Sequence, residues 1–240
     1  MGLRINTNMA SLSAQRVLSV QQKRAEHAAA ALSSGSRIVN AADDAAGLSI
    51  SESLKGQIRG IGQARNNAFN AGSAIQISEG GLNEINNILI RLRELGIQAA
   101  SDNIGETERQ FLNDEASQLI QESDRIARTT RFGAKSLLDG SGGKMEFHVG
   151  AFGGEENKIS YDLSADATAS AIGIDGIDVS EKDGARETLQ TVDDALVKIG
   201  SLRANFGAIQ NRLLATVSNL DVQYENLSAA NSRIRDTDVA

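Results

Sequence analysis

Two histidines, His27 and His148, are the only imidazoles in this 240-residue chain, and it contains no cysteine. Thiolate nucleophiles, disulfides and cysteine metal sites are therefore excluded. His27 lies in an alanine-rich helical stretch and His148 on the polar side of a strand pattern. No His-Glu-x-x-His spacing accompanies either, so both read as solvated side chains. Gly143-Lys144 resembles the end of a phosphate-binding loop, but Met145 stands where Ser or Thr is needed and Leu138 where the first glycine is needed. The acid pairs Asp43-Asp44, Asp193-Asp194 and Glu155-Glu156 would have to converge on one substrate. Neighbouring helical residues point about 100° apart, so these pairs read as caps or solvated surface. No catalytic, cofactor or metal constellation is legible, and the chain reads as a non-enzyme.

The patterning that remains belongs to long helices. Val192, Ile199, Phe206, Leu213, Leu220, Leu227 and Ile234 are all apolar and each is seven residues after the last. With 40% hydrophobic residues, such a run arises by chance in about one register in 600. Leu196, Arg203, Gln210, Val217, Tyr224 and Asn231 fill the second row, the polar members being suited to fixing register. A helix of about 50 residues is roughly 75 Å long and needs a long partner. A matching stripe runs through Leu54, Ile61, Ala68, Ile75, Leu82, Leu89 and Gly96, with Ile58, Gly72, Ile85, Leu92 and Ala99 beside it. The expected fold class is mainly α: an elongated antiparallel helical bundle or coiled-coil rod, with a small β-hairpin region at one end. The same stripes would also serve as core of an ordinary helical protein, which leaves their length without a reason.

Composition agrees with a thin helical body. Aromatics make up 3%, tryptophan and proline are absent, and the formal net charge is −7. Long helices therefore run without proline breaks, and the acidic balance argues against nucleic acid or an anionic membrane as partner. No stretch approaches 18 apolar residues, and the first residues lack the apolar core of a signal peptide. Met1-Gly2 is followed by Asn6 where a myristoylation signal needs Ser or Thr.

In chain order, residues 5–32 (Ile5, Met9, Leu12, Val17, Val20, Leu32) read as a helix with one modest apolar face, expected to be disordered unless a partner covers it. A connector follows, with Asp43 or Asp44 able to cap the next helix. That helix is expected over about 45–100, uninterrupted by Gly80-Gly81 because the sevenfold phase runs through the pair. A third is expected over about 107–129, opened by a Thr107/Gln110 capping box, with Leu112, Ala116, Leu119 and Ile126 as its stripe. Met145 to Val149 and Ile159 to Leu163 alternate apolar with polar residues and predict a hairpin over about 144–164. Residues 165–182 read as loop with weak strand character near Ile172 to Ile174, and the last helix is expected over about 184–238.

Several stretches together resemble bacterial flagellin: Leu32-Ser33-Ser34-Gly35-Ser36-Arg37-Ile38 with Ala41-Ala42-Asp43-Asp44-Ala45-Ala46-Gly47, Ile5-Asn6-Thr7-Asn8, Glu79-Gly80-Gly81-Leu82-Asn83-Glu84-Ile85-Asn86-Asn87, Arg91-Leu92-Arg93-Glu94-Leu95, Glu122-Ser123-Asp124-Arg125-Ile126, Gly207-Ala208-Ile209-Gln210-Asn211-Arg212 and Ser232-Arg233-Ile234-Arg235-Asp236. The resemblance implies a structural subunit of the bacterial flagellar filament, self-assembling into a helical tube for motility. It implies residues 1–44 as inner-tube helix and connector and residues 45–240 as the outer-tube domain. A further C-terminal inner-tube helix is expected beyond Ala240, without which residues 1 to about 35 would fray. The large outer domains of many relatives are reduced here to the hairpin and loop. The resemblance further implies type III export, a secreted, extracellular location, and other copies of the chain, an export chaperone and cap or junction proteins as partners. Family members that engage Toll-like receptor 5 use an Arg, a Leu and a Glu that map onto Arg91, Leu95 and Glu115, a surface also expected to serve assembly. The alternative within the superfamily is a hook-filament junction protein, disfavoured because Ala41-Ala42-Asp43-Asp44-Ala45 lacks the proline usual there.

Overall fold

The computed structural model describes residues 8–162 and 165–238. Ile5, Asn6, Thr7 and Leu163, named above, lie outside the described residues. The elements are α1 (Met9–Ser34), α2 (Ala45–Ala99), α3 (Glu106–Thr129), β1 (Arg131–Phe132), β2 (Lys135–Ser136), β3 (Lys144–His148), β4 (Lys158–Asp162), α4 (Ala169–Ile172) and α5 (Lys182–Arg235), with a single 3-10 turn at Glu155–Asn157. Two antiparallel two-stranded sheets, β1-β2 and β3-β4, accompany the helices. The fold is mainly α, with long helices packed against one another.

The chain divides into two compact units, one formed by the residues up to Ile61 and from Val222 onward, the other by Gly62–Asp221. In the second unit the partners of α2 and α5 run in opposite order. Gly96 lies against Ala185, Thr188 and Leu189, Arg93 pairs with Asp193 at 2.8 Å, and Arg65 pairs with Asp221 at 3.0 Å. The helix α3 folds back so that its Arg109 Nε donates to the Ala99 carbonyl at 2.8 Å. Because α2 is covered on two sides it buries more than a narrow seam. Ile75, Leu82, Ile85, Leu89, Leu92 and Leu95 are all fully enclosed, facing Val192, Ile199, Phe206 and Leu213 of α5 and Leu137 and Leu138 of the loop after α3. On α5 the second row shifts by one residue: Ala195 is buried and Leu196 only half-buried.

Gly81 shows why glycine stands inside a 55-residue helix. A Cβ there would lie 2.8 Å from both Leu138 Cδ1 and Thr130 Oγ1, so the loop after α3 docks directly onto the α2 backbone. Gly80 meets nothing within 4 Å.

The hairpin pairs Met145 with Tyr161 and Phe147 with Ile159. Those four side chains point inward, while Lys144, Glu146 and His148 are exposed. Tyr161 stacks on Phe147 at 6.0 Å between centroids and meets Phe206 of α5 edge-on at 6.5 Å. His148 offers its carbonyl to Asn67 Nδ2 at 2.9 Å, so the hairpin's contacts fall on the sides of α2 and α5.

Three local expectations are corrected. No Thr107/Gln110 capping box forms: Gly105 is the N-cap, with extended backbone and no side-chain bond, and Thr107 is already inside α3. The acids Glu106 and Glu108 in the first turn favour the helix N-terminus instead. The stretch expected to be loop with weak strand character near Ile172 to Ile174 instead enters the short helix α4 as far as Ile172, with Thr168 at its N-cap position, Gly173 ending it, and Lys198 Nζ donating to the carbonyls of Ala171 and Ile172. The last helix ends at Arg235 rather than near residue 238, because Asp236 turns away to bridge Ser36.

In the first unit, α1 is capped by Asn8 and Gly35 and has no buried residue. Met9, Leu12, Val17, Leu18, Val20 and Leu32 are all exposed. Leu54, Leu227 and Ile234 are half-buried.

Candidate functional site

Arg91 projects from α2 toward α3, which the turn at residues 100–105 brings back alongside it. Its Nε and Nη2 donate to Glu115 Oε1 at 2.9 and 2.8 Å, and Nη1 donates to Glu94 Oε2 at 3.0 Å. The hydrogen bonds it donates to Glu115 first, then to Glu94, hold the guanidinium above its ordinary pKa. The groups are exposed and screened by solvent, so the pair adds little to stability and stays available to a partner.

Leu95 does not share this surface. It is 0% exposed, one turn on from Leu92 and one turn before Ala99 in the buried stripe of α2. The expectation that it lies on a receptor or assembly surface is corrected: reaching it would mean opening the core. The apolar residue exposed on the same side as Glu115 is instead Phe111, 67% exposed and one turn before it on α3. Phe111 was legible as an aromatic one residue off the stripe Leu112, Ala116, Leu119, since a ring out of register with the core must face outward.

The second concentration of polar contacts is the connector, residues 35–44. Asp44 Oδ1 accepts from the Gly47 backbone N–H at 2.8 Å, capping α2. A Cβ at Gly47 would lie 2.3 Å from Asp44 Oδ2 and 2.9 Å from Ile38 Cδ1, so this cap and the buried Ile38 require glycine there. Asp43 Oδ2 accepts from the backbone of Val39 and Asn40, and Oδ1 lies 3.0 Å from His27 Nε2. The Asn40 bond, then the His27 bond, lower the Asp43 pKa. His27, read as solvated, is thus half of an exposed pair that no sequence spacing announces. Arg37 Nη2 donates to the Ile234 carbonyl at 2.7 Å, Arg37 N to the Arg235 carbonyl at 2.7 Å, and Thr237 N to the Gly35 carbonyl at 3.0 Å. Ser51 Oγ donates to Asn231 Oδ1 at 2.8 Å, and Arg235 pairs with Glu52 at 2.7 Å. The polar position Asn231 therefore has a specific partner.

These arrangements bind and position backbone; they do not build a reaction centre. Among the described residues no group of three or more His, Asp or Glu side chains could hold a metal, and no helix is long and apolar enough to cross a membrane.

Residues 5–142 match the bacterial flagellin N-terminal helical region, and residues 189–240 match the bacterial flagellin C-terminal helical region. A flagellin of Halalkalibacterium halodurans is 41% identical over 239 residues, covering 98% of this chain and 86% of the relative. The crystal structure of Bacillus cereus flagellin superposes with a TM-score of 0.58 at 30% identity, covering 69% of this chain and 94% of that one. A structure of a flagellar hook-associated protein from Vibrio parahaemolyticus gives a TM-score of 0.67 at 13% identity, over 81% of this chain and 100% of that one. At that identity the likeness is one of fold alone.

Proposed function

This chain belongs to the bacterial flagellin family and is a structural subunit of the flagellar filament; from that premise we propose that it works outside the cell by packing against copies of itself in a helical tube. The observation that carries the reading is α1: 26 residues of capped helix with no buried side chain and six exposed large apolar residues. Such a helix cannot repay the cost of ordering by itself, so its apolar face is built for neighbours. The work of the subunit is mechanical, and no catalysis is assigned to it. Delivery through the flagellar type III apparatus, a chaperone that holds the C-terminal segment, and cap and junction proteins at the filament ends complete the reading.

The test is electron microscopy of the full-length protein after addition of filament seeds. Long filaments are expected. A short collar on a hook end, with no further growth, would overturn the reading in favour of a hook-filament junction protein.

The exposed Arg91–Glu115 pair with Phe111 beside it supports a second role for the same face, as a contact between subunits and for Toll-like receptor 5. Charge-fixed arginine beside an exposed aromatic is the composition of an interface hot spot. Arg91→Ala is expected to reduce receptor signalling at least tenfold while leaving the monomer folded; unchanged signalling from a chain that does activate the receptor would remove the assignment.

A further inference from the structure

The loop joining β3 to β4 carries Phe152, 60% exposed and followed by Gly153-Gly154. The hairpin's own packing is done by Met145, Phe147, Ile159 and Tyr161, so this ring adds little to the fold of its own chain. In the same unit a groove of about 180 Å³ opens between α2 and α5, lined by Ala68, Phe69, Gly72, Leu213, Leu214 and Val217 among others. Phe69 and Leu214 are 54% and 60% exposed, and a Cβ at Gly72 would meet nothing within 4 Å. Ligand pockets for cofactor-sized molecules run to about 300–1,000 Å³, whereas roughly 150 Å³ is enough for a benzene ring. The groove is therefore the size of one aromatic side chain.

Knob and groove face different ways. Asn67 of α2 holds the hairpin through the His148 carbonyl, while Phe69, two residues on, points about 200° away around the same helix. No hairpin residue lines the groove among the described residues. A patch that complements a different patch on an identical chain makes a head-to-tail contact, which extends into an open polymer rather than closing a dimer. We propose that Phe152 of one copy seats in the Phe69–Leu214 groove of the next, and that this contact helps to hold the polymer together. The proposal rests on the self-assembly reading above and names one pair of surfaces that realises it.

Because the chain has no cysteine, Phe152→Cys chains mixed with Ser73→Cys chains, which carry the thiol in the groove lining, can be seeded and oxidised. A cross-link between copies is expected in the polymer and not in the unseeded monomer. Phe152→Ala removes the ring and Gly72→Leu fills the groove from open space. Each is expected to raise the critical concentration for assembly about tenfold or more, with the thermal melting of the Phe152→Ala monomer unchanged. If the unaltered chain polymerises but no cross-link forms, or if both variants assemble like the parent, the proposal is wrong while the self-assembly reading stands. If the unaltered chain never polymerises on seeds, both fail together.

Discussion

Gly80 and Gly81 are neighbours in α2 with different obligations. Gly80→Ala meets open space and is expected to raise stability by up to about 1 kcal/mol through helix propensity. Gly81→Ala pushes against Thr130 and Leu138 and is expected to lower it by about 1–3 kcal/mol, as overpacking does. Urea denaturation of the two variants checks the pair, and equal shifts would show that the loop is not seated on α2. The same measurement separates Leu95 from its neighbour: Leu95→Ala is expected to cost about 2–5 kcal/mol as a core cavity, whereas Arg91→Ala, which removes only an exposed pair, is expected to leave the midpoint nearly unchanged. Acid is the residue-scale perturbation of the connector. Asp43, bonded to the Asn40 backbone and His27, and Glu52, bonded to Arg235, have pKa values lowered from 3.8 and 4.5. A carboxylate depressed in the folded state stabilises fully above its unfolded value, and that contribution is lost as pH falls through the folded one. Stability of the first unit is therefore expected to drop below about pH 4, and Asp43→Asn to lessen that drop; an identical acid profile in the variant would exclude Asp43 as a contributor.

Among the elements, α1 differs most from its surroundings, since the Asn8 capping bond and the left-handed Gly35 at its ends are not matched by any burial between them. Amide hydrogen exchange on isolated chains is expected to show α1 amides exchanging close to the unprotected rate and α2 amides such as those of Leu82 and Leu89 protected to the limit of global unfolding. Protection of α1 equal to that of α2 in dilute monomer would refute the account. The long helices were readable because a sevenfold apolar phase persists whatever the local propensity, which is why α2 continues through Gly80-Gly81. Shorter features depended on tertiary partners and were misread. The helix α4 is four residues long and relies on Lys198, 26 residues further on, to bind the carbonyl of Ile172. The end of α5 is set by pairing of Asp236 with Ser36, a contact between opposite ends of the chain. In the candidate site, Arg91 falls in a stretch that carries the resemblance, whereas Glu115 falls in none of them and meets Arg91 because α3 folds back along α2; the burial of Leu95 depends on how closely α3 and α5 cover α2, which spacing alone does not give. The His27–Asp43 pair likewise comes from the fold and not from spacing, whereas the outward face of Phe111 follows from its register beside the α3 stripe.

For the molecule as a whole, a net charge of −7 opposes bringing many copies together, while the apolar surfaces of α1 favour it. Raising salt from low to physiological concentration shortens the screening length to about 8 Å and is expected to lower the critical concentration for polymerisation; a rise with salt would mean that ion pairs between copies outweigh like-charge repulsion. The two compact units also differ in a way that can be followed by light. There is no tryptophan and there are two tyrosines. Tyr161 falls in the Gly62–Asp221 unit and Tyr224 in the other. Replacing either by phenylalanine leaves a single native fluorophore, so the unfolding of each unit can be watched separately without any attached dye. Tyr161 has a second signature, because burial pushes its phenol up to about 12: its phenolate absorbance should stay silent in mild alkali while that unit is closed and appear at lower pH once the unit opens.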